Sequence, residues 1–504
     1  MILLLALACT ANLPFTAQVA PNPDDPLGAL VSVHARQDLS VQVLRSSPDE
    51  APSLGPPVAL AAGEDQTLVV RGLLADSDWQ LQVQASDGSR SWEGEPADLH
   101  TEPLPADWPG CTVTVPDDSE QFGADAVVCS NGLLTDTGTG VYYCVDRQGR
   151  PRWSLQHPAG VILRVLTPLP DGGFAGVGLD DSGLALFSAS GTLTGWFPPS
   201  WFTGQTRFQH DFIDGHEVLL IDQGPWAGAL AIMTATWDTI GEGDSAEDRL
   251  AYGLIVFDPG AHQVLWDWSA HGELGDDQPI DPKLPYDRLG ASASDPTQYM
   301  HSNALLYRTA PDGVGELWMS VRHQDWIIAI DTETDAVRWR LGRQGDFQFV
   351  DDLDAADPVV QDDSQWFYAQ HGPSFHGDDG DRIGLFLFDN GKGRVDSDGL
   401  SADEVDYSRA LELHLDTTGM RASIGWSHGS PYPADPEWMY AAGGGDVDLL
   451  PGGDQLQVLK GWDATFVQHL SYPQGEELWR WSCPDGEDDT EQYRARYALD
   501  LADW

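Results

Sequence analysis

The chain has 504 residues, with 26 basic against 80 acidic side chains and a net charge of -54; its lysines are Lys283, Lys392 and Lys460. Such a surface excludes nucleic acid as a partner, because that binding rests on Lys and Arg neutralising phosphates. A hydrophobic content of 41%, with 20 Trp, 16 Phe and 13 Tyr, excludes general disorder. The 53 glycines and 34 prolines punctuate short runs rich in Val, Leu, Trp and Phe, which predicts an all-β chain with many turns, long enough for two domains. Self-repulsion keeps a chain of this charge soluble and salt relieves it, so a salt-adapted source and a lineage with Asp-rich surfaces both fit.

Residues 1–9 are almost wholly apolar up to Ala8 and end on Cys9. Eight apolar residues cannot span a bilayer. An apolar stretch followed by a small residue and Cys resembles a bacterial lipoprotein signal, although the usual basic start is missing; plain secretion is the alternative. On the first reading Cys9 is lipidated and anchors an exported protein, periplasmic or at the outer membrane or cell surface. Cys111, Cys129, Cys144 and Cys483 then remain, enough for two bridges in any of three pairings. No CxxC or Cys/His cluster points to zinc, and no cofactor is expected. Residues 10–26, rich in Pro and Asp, read as a tether. From 27 to 104 period-two runs (LVSVHA, LSVQVLR, QTLVVRGL, DWQLQVQ) alternate with turn residues, which predicts a small β-sandwich resembling a fibronectin III or immunoglobulin-like module. His34 and His100 read as ordinary surface residues there.

From 105 to 504 a repeat predicts a six-bladed β-propeller. Six glycine turns (Asn131-Gly132, Asp171-Gly172, Asp214-Gly215, Asp312-Gly313, Asp379-Gly380 and Pro451 to Asp454) are matched by six strands around Trp153, Trp196, Trp266, Trp339, Trp426 and Trp479. The tryptophans read as packing between blades. Polar insertions near 238–250, 272–299, 346–365 and 392–408 are expected to extend loops over one face, where binding happens. In a ring of blades the first strands line a shared centre. His210 precedes Asp214-Gly215, His301 precedes Asp312-Gly313, and His371 precedes Asp379-Gly380, while Arg322 stands in a strand that follows His301. A shared register of histidines beside an arginine predicts a site assembled by the scaffold.

The order of these motifs resembles the bacterial arylsulfate sulfotransferase family. It is carried by His210-Asp-Phe, His301-Ser-Asn303, Ser320-Val-Arg322-His-Gln, VRWRLG from Val337, Gln370-His371-Gly372, LFDNG from Leu387, SRALELHLD from Ser408 and VDLLPGGDQLQVL from Val447. The resemblance covers about 200 to 482. It implies a six-bladed propeller after an N-terminal β-domain, with phenols and aryl sulfate esters as substrates and no nucleotide sulfate donor. It implies that His371 attacks sulfur to give a sulfohistidine, which predicts ping-pong kinetics. Arg322 would hold the migrating group with its planar fork. His210 would act as acid/base and His301 as a sulfate-binding group, with Asn303 in support. The sequence departs from the family's pattern at Ala304, where Ser is usual, at Val321 in place of Ser, and at Gly372, where Thr or Asp is usual; none of these is a reacting group.

Arg338, Arg340 and Arg343 could join Arg322 in a positive well, although solvated strand faces explain Arg338 and Arg340 more simply. Two other functions compete. A propeller that only binds ligand or protein would leave the histidines apart, since the fold alone decides nothing. A quinoprotein-type oxidoreductase would need Ca²⁺ carboxylates beside an aromatic platform, and no clear set is present. The Asp-rich loops 351–357 and 377–381 fit solvated acidic turns better than a structural Ca²⁺ site.

Overall fold

The computed structural model describes residues 13–117, 122, 126–134, 139–178, 183–240, 247–270, 300–394, 407–429, 440–461, 466–483 and 493–498; Cys9 and the whole segment 1–9 lie outside them. The described chain is all-β, built from many small antiparallel sheets.

Two of these sheets precede residue 104. Phe15–Pro21, Ala29–Ala35 and Asp65–Val70 form one. Leu39–Ser47 and Asp78–Ser86 pair at the centre of the other. Alternate side chains of both, among them Val31, Val33, Val41, Val43, Trp79, Leu81 and Val83, share one buried cluster. The expected tether is corrected here: Phe15–Pro21 is a strand paired along its length with Ala29–Ala35. Phe15, Ala17 and Val19 pack on the cluster at period two, while Pro14 and Pro21 fall at the strand's two ends, where a missing N–H is tolerated.

Six further sheets follow, here numbered I to VI. Sheet I holds Val127–Leu134, Thr139–Val145 and Pro151–Leu155, and its remaining position is filled by Ala495–Ala498 from the far end of the chain. Sheet II runs Leu163–Pro168, Phe174–Gly178, Leu184–Phe187, Leu193–Phe197, and sheet III runs Phe212–Leu220, Leu230–Ile240, Glu247–Asp258, Gln263–Ser269. Sheet IV runs Ser302–Thr309, Gly315–Val321, Trp326–Asp331, Val337–Gly342. Sheet V runs His371–Asp378, Arg382–Asp389, Arg409–Asp416, Arg421–His428, with Gln348–Phe349 added at its edge. Sheet VI runs Asp446–Leu449, Gln455–Lys460, Phe466–Ser471, Glu477–Ser482, and Thr112–Val115 joins its outer strand. Each consecutive pair of sheets shares a buried cluster, and sheet VI shares one with sheet I through Leu459, Val467, Trp479, Val128 and Tyr143. The six tryptophans of the repeat all lie in the last strand of a sheet.

Two of the six glycine turns are not turns. Asn131-Gly132 lies inside Val127–Leu134, where Gly132 leaves room for the Tyr143 ring and Pro109. Asp214-Gly215 lies inside Phe212–Leu220. The pairing passes from Ile213–Thr234 to Val218–Ile232, so the four residues from Asp214 to Glu217 stand opposite Met233 alone. Such a bulge bends the strand and re-aims its side chains.

The disulfides are Cys111–Cys483 and Cys129–Cys144. The first joins points 372 residues apart at the seam where the early and late parts of the chain meet. Cys111→Ser is expected to lower stability by about 2–5 kcal/mol, read as a lower urea midpoint. Equal midpoints for variant and parent would show that the bridge adds nothing.

Candidate functional site

The first strands of sheets IV, V and VI begin at Ser302, His371 and Asp446, and the strand that completes sheet I begins at Ala495. The residues just before and at these starts meet in one buried centre.

His371 is fixed there by a chain of unambiguous donors. Asn390 Nδ2 donates to Ala441 O (2.8 Å) and Gly444 O (2.9 Å), which leaves its Oδ1 as an acceptor facing His371 Nδ1 at 2.7 Å. His371 Nδ1 therefore carries the proton and Nε2 carries the lone pair. The only group on that lone pair among the described residues is the Gly444 amide at a long 3.3 Å. Burial, and after it the nearby Arg322 cation, hold the imidazole well below its ordinary pKa, so it is neutral. The backbone on both sides is left-handed, with φ 53° at Ala369 and 52° at Gly372. A Cβ on Gly372 would run into Asp446 Oδ1 and Arg494 Nη1, which explains why glycine stands where the family has a larger residue. Gly372→Ala is expected to cost about 1–3 kcal/mol in backbone conformation alone and to part Asp446 from Arg494. Its signature is a lower thermal midpoint together with lost activity; an unchanged midpoint would show that the slot is slack.

Arg322 opens the 3₁₀ turn Arg322–Gln324 that ends Gly315–Val321. Its Nη2 donates to Ala442 O (2.7 Å) and its Nη1 to His323 Nε2 (3.0 Å), while Nε is buried without a partner. Among the described residues no carboxylate lies within ion-pair distance of this buried guanidinium, and burial lowers its pKa. An uncompensated buried cation is expensive, and a bound anion relieves that cost.

His301 sits between the rings of His216 (5.0 Å) and His323 (4.8 Å), in a left-handed conformation with φ 45°. Burial, then Arg322 and the surrounding imidazoles, hold it well below its ordinary pKa. Asn303 Nδ2 donates to Gln370 O at 2.7 Å, fastening the residue before His371 to sheet IV. His301, Asn303, Arg322 and His371 are thus brought together.

His210 is not brought to them. Thr234 Oγ1 holds its Nδ1 at 2.7 Å, and its Nε2 stands 3.6 Å from Asp267, both within sheet III. No contact among the described residues links it to the central group. The bulge turns His216 inward instead, with Nδ1 on Asp214 Oδ1 (2.5 Å) and Nε2 accepting from Arg164 (3.1 Å). Sequence reasoning missed His216 because Asp-Gly is a turn signal whether or not the strand goes on. It also missed Arg164, Tyr493 and Arg494. Arg338 and Arg340 do not join a positive well, in keeping with the simpler strand-face reading: Arg338 is spent on Asp331, Glu316 and Asp312, and Arg340 on Asp346. The acidic loops use their carboxylates locally, Asp351 accepting from Val359 N, Asp352 from Asp354 N, and Asp378 pairing with Arg308.

These features define an all-β protein with a buried, cationic, histidine-lined centre. The family model for arylsulfotransferase (ASST) matches residues 112–469, and the chain belongs to that family; it is an aryl sulfotransferase, a transferase acting on phenols and aryl sulfates. No curated protein matches it. Among solved structures it is similar to a protein of unknown function from Bacteroides caccae, at 7% identity and a TM-score of 0.40 over 74% of this chain and 99% of that one. It is also similar to the hydrazine synthase of Kuenenia stuttgartiensis (12%, TM-score 0.32, 73% and 78%) and to a virginiamycin B lyase from Staphylococcus aureus (10%, TM-score 0.28, 74% and 99%). Likenesses at this level carry no argument about activity. The two disulfides fit an oxidising compartment. No helix among the described residues is long and apolar enough to cross a membrane.

Proposed function

We propose that the chain moves a sulfuryl group from a phenolic sulfate ester to a second phenol through a sulfohistidine on His371, without a nucleotide donor. The observation that carries this reading is the locked tautomer of His371, whose Nε2 lone pair lies in the same buried centre as a guanidinium that pairs with no carboxylate among the described residues. In the first half-reaction Nε2 attacks sulfur, the N–S bond forms, and the S–O bond to the aryl group breaks. Arg322 stabilises the charge spread over the sulfuryl oxygens. A bound sulfate ester places a negative charge beside His301, raises its basicity from the depressed value of the empty site and lets it take up a proton from solvent. His301 then gives a proton to the departing phenoxide and takes one from the incoming phenol. We assign it this proton-handling role in place of His210, whose partners hold it inside sheet III. In the second half-reaction the phenol oxygen attacks sulfur, the N–S bond breaks, and His371 returns to its starting state.

The scaffold in this reading is a six-bladed β-propeller behind a small fibronectin III or immunoglobulin-like sandwich. Support comes from six sheets whose clusters run in cyclic order, and from the late strand Ala495–Ala498 completing sheet I. The test is p-nitrophenyl sulfate mixed with phenol and no nucleotide, following nitrophenolate. Parallel double-reciprocal lines are expected as phenol is varied; intersecting lines would overturn the covalent intermediate, and no release with several donors would overturn the donor class. The pH profile should follow the depressed His371. A neutral nucleophile is active above its pKa, so the acid limb of kcat/KM, which reports the free enzyme, is expected well below pH 6.5, the ordinary imidazole value.

A further inference from the structure

The segment Tyr493–Ala498 lies beyond residues 112–469, where the family model matches, yet its first two residues touch the centre from all six sheets. Sheet I anchors it: Ser130 Oγ donates to Arg494 O (2.7 Å) and Tyr493 N donates to Asn131 Oδ1 (2.9 Å). Sheet II lays Arg164 over the Tyr493 ring at 4.2 Å. Arg494 Nη2 donates to Glu217 of sheet III (3.2 Å) and to the carbonyl of Asn303 in sheet IV (3.0 Å), and Nη1 pairs with Asp446 of sheet VI (3.0 Å). The Tyr493 hydroxyl donates to the same Asn303 carbonyl at 3.1 Å, and its ring stands edge-on to His371 of sheet V at 6.0 Å. Arg494 and Asp446 also fill the slot that a side chain at Gly372 would take.

We propose that Arg494 is a positioning residue of the transfer site: by tying Asn303, Asp446 and Glu217 together beside Gly372, its guanidinium sets the place of His371. This rests on the reading of His371 as nucleophile. Arg494 touches no reacting atom; three of its five N–H donors are spent on Asp446, Glu217 and the Asn303 carbonyl, and it acts through these neighbours. The groups that face His371 are Asn390 and the Gly444 amide, which hold its two nitrogens, together with Arg322, Arg494, His216, His301 and the Tyr493 ring. Asn390 favours the charged imidazole, whereas Arg322 and Arg494 oppose it. Removing the Arg494 cation takes away one of the two charges that oppose protonation, so His371 becomes easier to protonate.

The experiment compares the pH dependence of kcat and KM for the full-length wild type, Arg494→Gln and Arg494→Lys, with near-ultraviolet circular dichroism as the check on folding. For Arg494→Gln the expectation is a fall in kcat of about 100-fold, with donor KM changed by less than about threefold, and an acid limb moved to higher pH. Arg494→Lys keeps the charge but loses the planar fork, so the limb stays in place while kcat falls about tenfold. A merely structural role would not move the limb of the folded fraction. Folded Arg494→Gln with kcat within about threefold of wild type and an unmoved limb would overturn the assignment. If Arg494→Gln does not fold, Arg494→Lys decides: wild-type kcat overturns the assignment and the tenfold loss supports it. Wild type and His371→Ala are run first, because turnover that is absent from wild type, or undiminished in His371→Ala, refutes the proposed function, and this inference falls with it.

Discussion

Replacing His371 with alanine is expected to lower kcat by about 10⁴-fold or more, a loss of about 5.5 kcal/mol of transition-state stabilisation. The size follows from what is removed. In the proposed mechanism the imidazole supplies the bond that splits one difficult displacement into two easier ones. Among the described residues the neighbouring imidazoles are held in other contacts: His301 lies between two other imidazoles, and the Nε2 of His216 is occupied by Arg164. Binding should survive, since Arg322 and its surroundings are untouched, so donor KM is expected to change little. The direct observation is mass spectrometry of enzyme quenched after mixing with donor alone. Wild type should gain one sulfuryl group on the peptide holding His371, and the variant should gain none. A sulfuryl adduct on another residue of the variant, or activity within about tenfold of wild type, would remove His371 from the mechanism. Asn390→Ala gives a graded version of the same test. It leaves the imidazole in place but releases the tautomer, so its loss should be real and smaller than that of His371→Ala.

The parts of this site that could be read from the sequence are those carried by local strand grammar. His301, Arg322 and His371 stand at the ends of short apolar runs, and such positions lie where strands enter or leave a sheet. The tryptophan strands could be read for the same reason, and several of them, those of Trp266 and Trp339 among them, follow an Asp-containing turn. Misreadings came where one local signal serves two structures. Asp214-Gly215 has the composition of a turn, yet the strand continues through it as a bulge, and this exchanged His210 for His216 as the histidine facing the centre. Phe15–Pro21 has the composition of a tether, but three alternating apolar side chains with a partner strand outweigh two terminal prolines. Other features were out of reach in principle. Arg494 acquires its role only when the late strand closes beside Val127–Leu134, bringing it to carboxylates 48 and 277 residues away in sequence. The disulfide pairing is of the same kind: four cysteines allow three pairings, and only the seam between sheets VI and I selects one.

Arg322 carries the second large effect. Arg322→Ala is expected to lower kcat/KM by about 10³–10⁵-fold, the range seen when a guanidinium that stabilises a transferring phosphoryl group is lost. Arg322→Lys should recover only part of this, because an ammonium is a point charge and cannot present two parallel N–H donors to two sulfuryl oxygens. Ala442 O and His323 Nε2 hold the guanidinium in its present orientation, so it is placed before substrate arrives and pays little ordering cost on binding. A buried cation that pairs with no carboxylate among the described residues costs stability, and this makes a second readout available. Removing the charge should leave thermal stability unchanged or higher while activity collapses, the opposite of what loss of a structural ion pair produces. The anion should show the mirror effect. Sulfate, or an unreactive aryl sulfonate, is expected to raise the thermal midpoint of wild type and to leave that of Arg322→Ala unmoved. If both proteins respond equally, the guanidinium is not the anion's seat. If Arg322→Ala is destabilised and active in its folded fraction, Arg322 belongs to the scaffold and the charge developing on the sulfuryl oxygens must be met by another group in the centre.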